Sequence, residues 1–142
     1  MKRRRSREYA LQILFQFELT GNKLSDQMLD EFWEDNNEDD EVKNFTYDIV
    51  SSTLENLEAI DRIIQKAAEH WIMERMAAID RNILRAATYE LLYRADIPTS
   101  VVINEALEVA KKYSTIDSAP FINGILDKIA TEVLPASSGS KE

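Results

Sequence analysis

The chain has 142 residues and 44% of them are apolar, so it can bury one core but cannot form two independent enzyme-sized domains. It contains no cysteine, which excludes disulfide bonds, thiolate zinc sites and a cysteine nucleophile and fits a cytoplasmic location. The formal net charge of −9 argues against nucleic-acid binding by the protein surface as a whole.

The N-terminus departs from this acidic balance. A group that we call the basic cluster supplies five of the 17 basic side chains: Lys2, Arg3, Arg4, Arg5 and Arg7. The 135 residues that follow Arg7 carry 12 basic and 26 acidic side chains, a net charge of −14. Since arginine matches phosphate groups and base edges, the cluster predicts a local contact with a polyanion; the alternatives are a solubilising tail or a chance cluster. These residues precede the first apolar stripe, so we expect their replacement to leave the fold intact.

Apolar residues at helical spacing follow the basic cluster and predict an amphipathic first helix through Ala10, Ile13, Leu14 and Phe17. Gly21 and Asn22 are expected to end it. Polar residues interrupt the run at helical spacing and no small-residue cleavage site follows, which argues against a signal peptide. A short second helix over residues 25–34 and an acidic loop over residues 35–41 come next.

The middle of the chain predicts one long third helix, because apolar residues from Val42 to Ile64 recur every three or four positions and share one face. The pattern drifts over residues 69–73, which predicts a junction. The following helix has an apolar stripe of Met76, Ile79, Ile83, Ala87 and Leu91. It is expected to end before Pro98, since proline disfavours helical geometry in the preceding residue.

Two further helices are predicted beyond Pro98. Thr99 or Ser100 can cap the first, whose apolar face is Val102, Ala106, Val109 and Tyr113. Ser118 is expected to cap the second, which holds Pro120 in its first turn and carries Ile122, Ile125, Leu126, Ile129 and Val133. The serine-rich residues 135–142 indicate a disordered tail.

These elements predict an all-α fold of about six to seven helices, divided near residue 70 into an N-terminal subdomain of residues 1–70 and a C-terminal subdomain of residues 71–134. No run approaches the roughly 20 apolar residues of a membrane span. There is no glycine-rich phosphate loop, and the single histidine, His70, has no partner histidine, so we predict no enzyme, no cofactor and no metal site. The stretch from Asp35 resembles the start of a calcium loop but has Asp40 where glycine is required.

A second candidate contact lies at the start of the last helix. Phe121 is one position off the apolar stripe, which Ile122 satisfies without it. Phe121 is therefore either one more core residue or a platform on which a nucleic-acid base stacks. The backbone N–H groups at this helix N-terminus could contact a phosphate.

Four segments together resemble the NusB family of transcription antitermination factors: RRRSREYALQ (3–12), DRNILRAATYEL (80–91), IPTSVVINEA (97–106) and FINGILDK (121–128). They occur in the family's order and span nearly the whole chain. The resemblance implies two packed helical bundles and an RNA-binding adaptor without catalytic activity. It also implies that the adaptor works on the transcription elongation complex and binds the single-stranded boxA element of ribosomal RNA leaders together with the ribosomal protein NusE.

The resemblance also implies particular contacts. It assigns RNA binding to the basic cluster and to Asp117 and Phe121, and binding of the ribosomal partner to Glu74, Arg75 and Asp80. Pro120 stands where relatives can carry lysine, which puts one phosphate contact in doubt. A homodimer of the free protein is left open.

Two other interpretations remain. One is the NusB-like N-terminal domain of ribosomal RNA cytosine methyltransferases, although the catalytic domain would have to begin where this sequence ends. The other is a helical scaffold that binds only proteins, with the basic cluster as a tail. RNA binding that survives moderate salt would favour the adaptor over the scaffold, and methyl transfer to RNA would reveal an enzyme.

Overall fold

The computed structural model describes residues 1–21 and 25–134, and this part of the chain is helical with no strand, which confirms the all-α class. Its seven α-helices are α1 (Lys2–Thr20), α2 (Asp26–Asp35), α3 (Asp40–Glu55), α4 (Leu57–Ala67), α5 (Ala78–Tyr93), α6 (Thr99–Tyr113) and α7 (Ser118–Lys128). A 3₁₀ turn, Met73–Arg75, precedes α5, and a π-helical segment, Ile129–Val133, continues α7. The predicted tail lies outside the described residues.

The core is one contiguous apolar cluster to which α1, α3, α4, α5, α6 and α7 all contribute. Its centre contains Leu14, Ile49, Ile64, Leu84 and Ile122, each at most 2% exposed. Helix α1 packs against α3 and also against α5 and α6, so the N-terminal helix contacts elements from both predicted subdomains. The boundary between subdomains near residue 70 stays a prediction.

The predicted long third helix is wrong in one respect, because Asn56 divides it into α3 and α4. The Asn56 side-chain amide donates to the Ser52 carbonyl at 2.8 Å, and such side-chain bonds compete with the helical backbone pattern. Ile49 before the break and Ile60 after it are both fully buried. The apolar spacing therefore runs on through the break and does not reveal it.

Helix ends follow the sequence expectations only in part. Gly21 ends α1 as predicted, with a left-handed φ of 65° and its N–H donating to the Phe17 carbonyl at 3.0 Å, while Asn22 lies outside the described residues. The predicted caps Thr99 or Ser100 and Ser118 are wrong: Pro98 precedes α6 and Asp117 precedes α7, and neither side chain caps. The Ser118 hydroxyl is instead bound to a buried carboxylate. Among the described residues, no helix combines the length and the apolar content that crossing a membrane needs.

Candidate nucleic-acid interface

The basic cluster forms the first two turns of α1 and is part of the folded body. Arg3 is exposed, and its guanidinium lies over the Phe45 ring at 4.6 Å from the centroid. Arg94 and Arg7 approach the same ring at 5.2 and 5.4 Å. Three cations therefore converge on one nearly buried aromatic ring, an arrangement that cation–π attraction stabilises.

Two of the arginines form ion pairs with carboxylates from other parts of the chain. Arg4 donates to both oxygens of Glu105 on α6, at 3.0 and 2.6 Å. Arg5 donates to both oxygens of Glu38 at 2.9 and 3.3 Å. The hydrogen bonds from Arg4 and Arg5 lower the pKa of the Glu105 and Glu38 carboxyls, so both stay ionised. Each bidentate pair holds the cation in the geometry that a phosphate would also use.

The two exposed cations of the cluster, Lys2 and Arg3, differ in their partners. The Lys2 ammonium lies 3.1 Å from Asp39 and 3.0 Å from Glu41. Within the described part of the chain, no carboxylate lies at ion-pair distance from Arg3. Arg3 is therefore the cluster member whose charge is available to an incoming anion without displacing a carboxylate.

Arg7 has a structural role that the sequence interpretation missed. It is 8% exposed and donates to Glu90 of α5, which is 2% exposed, at 2.7 Å and 2.9 Å. The expectation that the whole basic cluster can be replaced without affecting the fold is therefore wrong for Arg7. Removing it would leave the Glu90 carboxylate buried without its partner.

A second surface lies on another part of the molecule. Side chains from the segment between α4 and α5, from α5 and from the start of α7 line a groove of about 700 Å³ that we call the aromatic groove. Its lining residues are His70, Trp71, Ile72, Arg75, Met76, Ala77, Asp80, Thr115, Asp117, Ser118 and Phe121. Phe121 is half-buried, packs against the core, and meets the Trp71 ring at 5.2 Å between centroids and 79° between planes. Asp117 and Arg75 line the same groove and are exposed. Phe121 thus packs against the core and keeps part of its ring exposed, while base stacking by this ring stays a prediction.

Asp80 lies inside the protein, although the resemblance implied a partner contact there. It is 8% exposed and accepts hydrogen bonds from the Ser114 hydroxyl at 2.6 Å and the Ser118 hydroxyl at 2.9 Å. Ser114 ends α6 and Ser118 begins α7, so this carboxylate of α5 joins the turn between them. Direct binding of a partner by Asp80 stays a prediction; its position makes it a support for the aromatic groove.

Glu74 lines a different, acidic groove of about 810 Å³ between α1, α4 and the start of α5. Its acidic residues are Glu18, Glu55, Glu58, Asp61 and Glu74. Arg85 binds both Glu18, at 2.9 Å, and Asp61, at 2.8 Å, so part of this negative charge is neutralised internally. Glu74 is exposed, and its contact with a partner stays a prediction.

His70 is exposed just beyond α4, with its Nε2 3.7 Å from a Glu69 oxygen. In the part of the chain that the structure describes, no three His, Cys, Asp or Glu side chains are grouped as metal ligands. Sequence reasoning missed Trp71, Glu38, Glu105 and Glu90. The sequence offered a signal for Trp71 alone, since it lies in the predicted junction of residues 69–73. The three glutamates gave none, because their ion pairs join residues far apart in sequence.

The fold and these surfaces define a class of protein: a small all-helical protein with a basic face, an aromatic groove and an acidic groove. The model of the NusB family matches residues 4–131, and the chain belongs to that family. The chain is 50% identical over 141 residues to the transcription antitermination protein NusB of Thermodesulfovibrio yellowstonii, covering 93% of each chain. It is 46% identical over 132 residues to the protein of that name from Koribacter versatilis, covering 92% of this chain and 90% of that one.

Solved structures agree with this assignment. The NusB structure from T. maritima is 42% identical and has a TM-score of 0.83 over 92% of this chain and 91% of that one. A chain in the crystal structure of antitermination factors NusB and NusE in complex with dsRNA has a TM-score of 0.82 over 92% and 96% of the two chains. That chain is 24% identical to this one, so the likeness shows a shared fold and nothing further.

Proposed function

We propose that this chain is an RNA-binding adaptor of transcription antitermination that binds boxA-type single-stranded RNA together with the ribosomal protein NusE. The observation that carries the proposal is the basic cluster, presented on a rigid helix of a protein whose other residues have a net charge of −14. Membership of the NusB family supports it. So does a structurally similar crystal structure, which contains antitermination factors NusB and NusE in complex with dsRNA.

The RNA backbone would meet Arg3 first, since its charge has no ion-pair partner in the described residues. Arg4, Arg5 and Lys2 would then exchange a carboxylate for a phosphate. Arg7 would act indirectly, by fixing the first turns of α1 against α5. Arrival of the RNA along this face would release counterions, and the binding constant would fall steeply with salt.

Salt dependence of RNA binding tests the basic cluster. In the Arg3→Ala/Arg5→Ala variant, the log–log salt slope should fall by about 0.7 for each lost phosphate contact. The matched control is Arg62→Ala/Lys66→Ala, which removes two cations of α4 and should leave the slope unchanged. An unchanged slope in the first variant would mean that the basic cluster does not bind RNA.

The ribosomal partner would dock on the acidic groove, where Glu74 is exposed. A basic protein there would offset negative charge that otherwise repels RNA, so each ligand should raise the affinity of the other by the same factor, typically by about 1–3 kcal/mol. Titrating RNA with and without saturating NusE, and NusE with and without RNA, measures the four affinities of the thermodynamic cycle. Glu74→Lys should weaken NusE binding and leave RNA binding by the isolated chain nearly unchanged. Equal RNA affinities with and without NusE would rule out the adaptor mechanism.

One observation favours a second candidate, a scaffold that binds only proteins: Glu105 and Glu38 already occupy two of the basic side chains. RNA binding at moderate salt separates the two functions. The adaptor role assigns no catalytic step to this chain and places it with nascent transcripts in the cytoplasm. Methyl transfer to RNA by the purified chain would contradict that role.

A further inference from the structure

The aromatic groove contains an exposed aromatic side chain that neither the core nor the basic cluster explains. Trp71 is 58% exposed, although a side chain of this size usually gains from burial. Its ring is nearly perpendicular to that of Phe121. Two perpendicular rings form a corner, and a flat group that stacks on one ring meets the other with its edge.

The segment that carries Trp71 is held in place. Gln65 of α4 donates to the Trp71 carbonyl at 2.5 Å and accepts from the Met73 N–H at 3.0 Å. The Trp71 N–H donates to the Ala68 carbonyl at 2.9 Å. The backbone of this exposed ring is therefore fixed before any ligand arrives, which lowers the entropic cost of binding.

The other groove residues suit a nucleotide. The exposed Asp117 carboxylate can accept hydrogen bonds from the amino or imino group of a base edge. Arg75, also exposed, can pair with a phosphate. A nucleotide supplies a matched group for each: a flat base for the rings, edge donors for this acceptor and a phosphate for this cation.

We propose that Trp71 is a second base-stacking residue, and that Trp71 and Phe121 together hold one nucleobase of single-stranded RNA in the aromatic groove. The inference rests on the proposed function and extends it to a residue with no assigned role. A base in a duplex has both faces covered by its neighbours, so this groove would select single-stranded over paired RNA.

Tryptophan fluorescence tests the proposal directly. The chain has two tryptophans, so Trp33→Phe leaves Trp71 as the only indole reporter. A single-stranded boxA-type oligonucleotide should quench Trp71 emission, with a midpoint equal to the dissociation constant from RNA anisotropy. The same oligonucleotide annealed to its complement should quench it much less. Unchanged emission at saturating RNA, or equal quenching by the duplex, would overturn the proposal.

Variants separate this inference from the proposed function. Trp71→Ala should weaken single-strand binding about 5- to 150-fold, the equivalent of losing one stacked base, and Trp71→Phe should recover most of it. Tyr47→Ala is the control, because Tyr47 is 53% exposed and does not line the groove. If the wild type binds RNA and Trp71→Ala binds it with the same affinity, the role of Trp71 is overturned and the proposed function stands. Absence of RNA binding by wild type would overturn both, and a response of Trp71 to NusE but not to RNA would assign the groove to protein.

Discussion

Arg7 of α1 and Glu90 of α5 form a buried ion pair in which the guanidinium donates to both carboxylate oxygens, with Nη2 2.7 Å from Oε1 and Nε 2.9 Å from Oε2. Glu105 of α6 lies 3.5 Å from the Arg7 Nη1. One side chain of the basic cluster thus joins three helices. It couples the surface proposed for RNA to the core of the protein.

Breaking this pair should destabilise the fold. Arg7→Ala is expected to lower the free energy of unfolding by about 3–5 kcal/mol, because it leaves a buried carboxylate without its partner. Urea denaturation measures the loss. The control Arg3→Ala, at an exposed position, removes only a cation–π contact with Phe45 and should change it by about 1 kcal/mol or less. Similar losses in the two variants would contradict a special role for Arg7.

The carboxylates on the basic cluster should restrain RNA binding. Glu38→Gln and Glu105→Gln remove the charges that hold Arg5 and Arg4, so RNA affinity should rise roughly two- to fivefold, a modest gain because ion pairs near the surface are weak. Glu55→Gln has the same charge change but lies in the acidic groove and should have little effect. Binding titrations at constant salt measure the RNA affinity of each variant. Equal gains in all three variants would indicate a general charge effect.

The hydrogen bonds of Asp80 should support the aromatic groove. Asp80→Ala leaves the Ser114 and Ser118 hydroxyls without their acceptor and should cost about 1–3 kcal/mol of stability. RNA affinity should fall with it, since these bonds position the start of α7 and therefore Phe121. Thermal melts and RNA titrations measure the two effects, with the exposed Asp127→Asn as control. An unaltered melt for Asp80→Ala would contradict the supporting role.

Acid should remove the contribution of the Arg94–Asp96 pair. Hydrogen bonds from Arg94 lower the pKa of Asp96 from 3.8 to about 2, so the ionised pair stabilises the fold above pH 3.8 and loses its effect as pH falls toward 2. Wild type and Asp96→Asn should therefore differ in stability at neutral pH and converge near pH 2. Urea denaturation across this range measures the difference. A difference that persists unchanged at the acid end would require another cause.

The amino-acid sequence by itself determined the helical class and most helix positions. Apolar spacing of three or four residues places Leu14, Ile83 and Ile122 on buried faces, and all three are in the core. Gly21 ended α1 because glycine adopts the left-handed conformation without steric cost. Local signals failed at Asn56, where the apolar stripe continues through a break that a side-chain hydrogen bond favours.

Only the tertiary structure decided which basic residues are available and what lies beside Phe121. Arg3 and Arg7 are four residues apart in one basic cluster, yet one is exposed and the other is buried against Glu90, 83 positions later in the chain. The Trp71–Phe121 corner likewise joins two segments separated by α5 and α6. Periodicity reports which side of a helix is apolar. Ion pairs and ring contacts between distant segments depend on how the helices pack, and no local pattern encodes that packing.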